Sequence, residues 1–116
     1  MRHVEDLKII LAKAQQRAQA ASEQVYHQLG STDHVGACGF AWVDIVKYEG
    51  KPIKGNTKIG KMLKQAGVDQ NWQRTFSQWC NWYPGQSVDI KEAGAQAFAD
   101  VLRGYGFEAY AGSRLD

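Results

Sequence analysis

GQSVDIKEAGAQAFADVLRGYGFEAYAGSRLD, residues 85–116, is the stretch that decides the fold. Ser87 or Asp89 provides an N-cap for an amphipathic helix, and a glycine after the helix stops it. Residues 107–111 then alternate apolar and polar side chains, as a closing strand does. A capped helix that leads directly into a strand indicates a small domain that mixes helices with a sheet.

A second decisive stretch is GACGFAWVDIV, residues 36–46. Phe40, Trp42 and the β-branched Val43 and Ile45 are typical of a strand. This strand and the one at 107–111 place the sheet in the C-terminal two-thirds of the chain.

The N-terminal 30 residues have the periodicity of one long helix. Apolar residues recur at steps of three and four, and the stripe consists of Val4, Leu7, Leu11, Ala14, Ala18, Ala21 and Val25. The helix ends near Gly30, which predicts a length of roughly 38 Å. Two interpretations stay open, because the stripe can pack on the sheet of its own domain or on a second copy of the chain, and both can hold.

Between these parts the pattern predicts a turn, a short helix and an aromatic strand. Residues 49–56 are turn-rich, Asn56 or Thr57 caps the short helix, and Gly67 stops it. An aromatic strand over 75–83 follows. We therefore predict a single α+β domain over 1–116, with an N-terminal helix over 1–30 and an α/β core over 36–116.

The predicted order after the N-terminal helix is β-α-β-α-β, with a three-stranded mixed sheet. The last two strands are expected to be parallel neighbours, because the helix between them is long enough for a right-handed crossover.

Composition sets limits on function. The chain of 116 residues is 44% hydrophobic and 22% charged, with a net charge of +2. Its charged N-terminus lacks a signal-peptide core, and no stretch approaches a membrane span, so we expect a cytosolic protein and no membrane partner. Two cysteines make no disulfide framework in such a chain.

Positive charge is concentrated in the middle of the chain. Six lysines lie within eighteen residues, and they are Lys47, Lys51, Lys54, Lys58, Lys61 and Lys64. Lys54, Lys58 and Lys61 flank the start of the short helix, which favours contact with a phosphate or a nucleic acid. The alternative is a solvated surface that keeps the protein soluble. The order of residues does not match a Walker A motif.

Aromatic residues are dense just after the lysines, where they comprise Trp72, Phe76, Trp79, Trp82 and Tyr83. Such residues fill a small core, or they line a pocket or interface in which a base can stack. Four tryptophans exceed what one small core hides easily, so we expect at least one of them at a pocket or interface.

The sequence gives little support for a catalytic site or a metal site. Cys38 as a nucleophile would need His34 or His27 as its base, and both cysteines are expected to be buried, reduced thiols. The histidines and cysteines lack ligand spacing, so no metal and no cofactor is predicted.

Three motifs carry a resemblance to a known family, and they are CGFAWV (38–43), DIKEAGAQAFADVL (89–102) and YAGSRLD (110–116). The chain resembles small uncharacterised proteins encoded by tailed bacteriophages, whose pattern is CGFAWV, a lysine-bearing helix, WNPSG, KEAGAxAxAxVL and a terminal YAGSRLD. The resemblance covers 36–116 and departs at 79–85, where WCNWYPG replaces the simpler element. It implies a phage origin and the host cytoplasm, and it implies no reaction.

These observations lead to a functional hypothesis. We predict a non-enzymatic binding protein that holds an anionic partner, either nucleic acid or a nucleotide-like ligand, and forms a homo-oligomer through its N-terminal helix. The predicted ligand-binding residues are Lys54, Lys58, Lys61, Trp82, Gln86, Ser113 and Arg114. The alternatives are a virion or host-interaction protein, which acts through a protein interface, and an enzyme that uses Cys38.

Overall fold

The computed structural model describes residues 1–33 and 36–116, which contain three helices and five strands. The elements are α1 (Val4–Gln28), β1 (Gly39–Tyr48), β2 (Lys51–Pro52), α2 (Lys58–Gln65), β3 (Asp69–Gln70), β4 (Phe76–Trp79), α3 (Val88–Gly104) and β5 (Phe107–Leu115). The α+β class and the long N-terminal helix are therefore confirmed.

The sheet differs from the predicted three-stranded mixed sheet, because it has five strands and every pair is antiparallel. β1 is the central strand. β5 pairs along the length of β1 on one edge, while β4 and β2 share the other edge and β3 pairs with β4. The expectation that β4 and β5 are parallel neighbours is wrong, because β1 lies between them.

The missed strands are the shortest ones. β2 and β3 have two residues each, which is too short for a period-2 pattern to show in the sequence. β2 lies in the predicted turn, where Lys47 pairs with Pro52, and β3 lies in the polar stretch before the aromatic strand. Only pairing with neighbouring strands makes them part of the sheet.

The two faces of the sheet have different partners. Along β1 the side chains Ala41, Val43 and Ile45 are buried, and the alternate side chains point to the opposite face. The buried side chains join one apolar cluster that also includes Phe76 and Phe98. We call the buried side the inner face and the other side the outer face.

The helices form layers on the inner face. α3 packs against β1 and β5, and α1 packs mainly against α3. The two helices run antiparallel, since Ser22 Oγ donates to the carbonyl of Ile90 (2.7 Å) and Lys13 Nζ donates to the hydroxyl of Tyr105 (2.8 Å). α1 runs most of the 43 Å length of the domain.

The apolar stripe of α1 is used within the chain. Leu7, Ala14 and Ala18 are buried, and the other stripe residues are half-buried. The stripe thus packs within its own domain, but its main neighbour is α3 and not the sheet that the sequence predicted. No helix in the described ranges is long and apolar enough to cross a membrane.

The ends of the helices follow the predicted signals. Thr57 Oγ1 accepts a hydrogen bond from Gly60 N (3.1 Å) and caps α2. The Ser87 hydroxyl caps α3 by accepting from Ile90 N. Gly30 adopts φ +80° just after α1, a left-handed conformation that glycine takes without strain.

The strand at the C-terminus is longer than predicted. β5 continues to Leu115, and its last residues pair with the start of β1, so that Arg114 lies opposite Phe40 and Leu115 opposite Gly39. The segment GSRL therefore fastens the end of the chain to the central strand.

Candidate functional site

The outer face of the sheet carries exposed aromatic side chains that no helix covers. Phe40 and Trp42 lie two residues apart on β1, and Trp79 lies directly opposite Trp42 on β4. Their ring centroids are 5.0 Å apart for Trp42 and Trp79, and 6.3 Å apart for Phe40 and Trp79. Phe40 is 37% exposed and Trp79 is 46% exposed. We call Phe40, Trp42 and Trp79 the aromatic face.

Trp42 is held in place by its neighbours on three strands. Its ring lies on Gly112, where an added Cβ would come within 2.6 Å of the indole, so only glycine fits at this position. The indole Nε1 donates to Asp44 Oδ2 (3.3 Å), and the other carboxylate oxygen accepts from Ser77 Oγ (2.6 Å). The ring is thereby fixed as a rigid base for its neighbour Trp79.

Two cations lie beside the aromatic face. The guanidinium carbon of Arg114 is 5.3 Å from the ring centroid of Phe40, and Lys91 Nζ is 5.6 Å from it. Both distances are in the range of cation–π attraction. Lys91 Nζ also donates to the Gly39 carbonyl (2.9 Å), which holds its charge at this end of the sheet.

Tyr110 adds an aromatic ring farther along the outer face, opposite Asp44, and is 51% exposed. Desolvation raises the pKa of its hydroxyl, and the charge and hydrogen bond of Glu108 raise it further, while Arg103 acts in the opposite direction. The hydroxyl therefore stays neutral over the physiological range, and its proton is donated to Glu108.

The predicted ligand residues near the sheet do not come together. Arg114 lies on the outer face, whereas Ser113 points to the helix side, where its hydroxyl donates to Glu92 (2.8 Å). Trp82 is only 5% exposed and packs on Phe98 beneath α3, with its Nε1 donating to the Lys91 carbonyl (2.9 Å). It is a core residue.

Gln86 is exposed in the loop before α3, and its backbone is fixed there. The Gln86 N–H donates to Asp33 Oδ2 (2.6 Å), and the Tyr83 hydroxyl donates to Asp33 Oδ1 (2.6 Å). Burial and this carboxylate raise the pKa of Tyr83 to about 12, the burial being the larger cause. Asp33 thus joins the linker after α1 to the start of α3.

The three predicted lysines are all exposed, and the structure separates them. Lys54 lines a cavity together with Lys64 and Arg74, whereas Lys58 borders another depression beside Tyr48. Lys61 lines neither of these two cavities.

Cys38 is exposed, so the expectation of a buried thiol is wrong at this position, and Cys80 is half-buried. Cys38 follows the linker, forms an isolated bridge to Ser87 and accepts a hydrogen bond from Asp116 N at its carbonyl (3.0 Å), while its side chain is open to solvent. Of its two proposed bases, His34 lies outside the described residues. His27 contacts Glu23, which lies on α1, and Ser31, which follows α1.

Within the described ranges no cluster of potential metal ligands is present.

Comparisons with protein-family models, with curated proteins and with solved structures found no match.

Phe40 and Trp42 were the functional candidates that sequence reasoning missed. Their signal was present, because in CGFAWVDIV the even positions carry Phe40 and Trp42 while the odd positions carry small or aliphatic residues. Since strand side chains alternate between faces, this pattern places both aromatics opposite the buried face. Recognising the site also required knowing that β4 places Trp79 beside them.

Proposed function

We propose that this protein binds single-stranded nucleic acid on the aromatic face, without catalysing a reaction. The observation that carries the proposal is the aromatic cluster on the outer face, in which half-buried Trp42 supports the exposed rings of Trp79 and Phe40.

Stacking is the interaction that this surface offers. Every base has a flat π-face, so exposed aromatic rings on a sheet bind successive bases with little sequence preference. The ring centroids of exposed Phe40 and Trp79 are 6.3 Å apart, which leaves space for bases to lie on separate rings. The rigid hold of Gly112 and Asp44 on Trp42 lowers the entropy that binding would cost.

Charge supports a polyanionic partner at one end of the surface. Arg114 and Lys91 flank Phe40, and both can meet backbone phosphates while the ring contacts a base. A duplex does not suit this surface, because paired bases are already stacked on one another and hide their faces.

The sequence motifs also suggest where the protein acts. On the resemblance to tailed-phage proteins, the protein is made during phage infection and acts in the host cytoplasm, where single-stranded intermediates of replication and messenger RNA are both present.

The test is fluorescence anisotropy of a labelled oligothymidylate of about 15 nucleotides, titrated with the full chain at about 50 mM salt. Trp79→Leu keeps an apolar side chain but removes the π-face, and we expect it to weaken binding roughly 5- to 150-fold. Trp79→Phe keeps a ring and is expected to retain most of the affinity.

Trp72→Ala is the matched control, because Trp72 is 89% exposed but lies in the turn before β4 rather than on the aromatic face. It should leave the affinity unchanged. The proposal is refuted if the wild-type protein does not bind the oligonucleotide, or if Trp79→Leu and Trp72→Ala have equal effects. Circular dichroism of each variant verifies folding.

A second candidate function, an interface with another protein chain, is favoured by the outer edge of β5. This strand has nine residues and, within the described chain, pairs only with β1. A long unpaired edge invites a further strand, including that of a second copy. Sedimentation equilibrium distinguishes the candidates: a stable dimer without oligonucleotide binding favours the interface.

A further inference from the structure

A basic cavity lies at the opposite edge of the sheet from the paired strand β5. It has a volume of about 680 Å³ and opens between the loop before α2 and the turn from β3 to β4. Three cations and three amides line it, and these are Lys54, Lys64, Arg74, Asn56, Gln70 and Gln73. The cavity lies beside the turn that leads into the first residue of β4, whereas Trp79 of the aromatic face is the last residue of that strand.

Local hydrogen bonds hold the backbone at Lys54 and Arg74 and the ammonium group of Lys64. The loop at Lys54 is closed by Thr57, whose hydroxyl donates to the Lys54 carbonyl (2.7 Å). Lys64, near the end of α2, donates from Nζ to the Gly55 carbonyl (3.3 Å). The Arg74 carbonyl accepts from Gln70 Nε2 (2.9 Å), which joins the turn to β3.

Gly55 keeps the interior of the cavity open. A Cβ at this position would lie 3.0 Å from Lys64 Nζ and 3.1 Å from Gln70 Oε1. A larger residue would therefore push apart two polar groups that line the same space.

The positive charge of the cavity is not neutralised by the protein. The lining contains no carboxylate, and no salt bridge within the described ranges involves Lys54, Lys64 or Arg74. The groove between α1 and α3 differs in this respect, because Asp100 lies among its cations.

We propose that this cavity is a binding site for a terminal phosphate group, that is, a phosphate with at least three unesterified oxygens. A guanidinium matches two phosphate oxygens with its planar fork, the two ammonium groups contribute point charges, and the amides donate to the remaining oxygens. The site is independent of the aromatic face. The phosphate can be free inorganic phosphate or the 5′-phosphate of a nucleotide, since both present the same group.

The experiment is isothermal titration calorimetry of the full chain with inorganic phosphate, adenosine 5′-monophosphate and adenosine. We expect the first two to bind and adenosine not to bind. Equal affinity for the two phosphates assigns recognition to the phosphate alone, and tighter binding of the nucleotide adds contacts to the nucleoside.

Lys64→Gln is expected to weaken phosphate binding roughly tenfold or more, because it removes a charged donor while keeping a polar side chain. Lys61→Gln is the matched control on the same helix, exposed but outside the cavity, and should bind as the wild type does. If both variants weaken phosphate binding equally, the binding depends on the general charge of the surface and not on the cavity, and the proposal is overturned. Binding of adenosine alone, or no binding of either phosphate at about 10 mM, would also overturn it.

Discussion

Replacing Gly94 by alanine tests the packing beneath α3, the contact that places Trp82 in the core. In an exposed helix interior this substitution stabilises by about 1 kcal/mol, because alanine has the higher helix propensity. Here the new Cβ would lie 2.1 Å from Trp82 Nε1, 2.2 Å from Trp82 Cδ1 and 2.6 Å from Ser22 Oγ. Ordinary carbon contacts are about 3.5–4.0 Å, so the indole must move by more than about 1 Å.

The magnitude follows from what that movement disturbs. Overpacking a core costs about 1–3 kcal/mol, and loss of the bond from Trp82 Nε1 to the Lys91 carbonyl costs about 1 kcal/mol. After subtraction of the propensity gain, Gly94→Ala should lower the free energy of unfolding by about 1–3 kcal/mol. For a domain of this size the melting temperature should fall by about 4 °C or more per kcal/mol.

Urea denaturation followed by circular dichroism measures the change. The matched control is Gly104→Ala on the same helix, where an added Cβ has no atom within 4 Å, and it should be neutral or slightly stabilising. Trp82→Leu removes the clashing ring, so the double variant should lose less than the sum of the two single losses. The reasoning is refuted if Gly94→Ala is as stable as the wild type.

Two further predictions concern individual side chains. The pKa of the Tyr83 hydroxyl is about 12 in the folded protein and near 10 in the unfolded chain. This difference stabilises the fold fully below the unfolded pKa, and the contribution is lost as the pH rises towards about 12. Tyr83→Phe should therefore remove this part of the decrease in stability at alkaline pH. Denaturation of both proteins at several pH values checks this, and identical pH dependence would contradict it. Iodoacetamide should alkylate exposed Cys38 faster than half-buried Cys80 in the folded protein. Peptide mass spectrometry measures the rate of modification at each cysteine. A faster reaction at Cys80 would show that the surface at Cys38 is closed in solution.

Local signals were sufficient for the helices and for part of the sheet. The caps at Thr57 and Ser87 and the stripe of α1 depend on residues within a few turns of one another, so that sequence spacing alone determined them. The same holds for the alternation along β1, which separates its buried and exposed side chains.

The site needed the tertiary structure. Whether an aromatic residue is exposed depends on which helix covers it, so Trp82 became core under α3 while Trp79, three residues earlier, became surface. The strand order and the pairing of Trp42 with Trp79 join residues distant in the chain, and the cavity brings Lys54 and Arg74 to one surface. Short-range periodicity carries no information about such contacts, because the packing of the whole domain selects them.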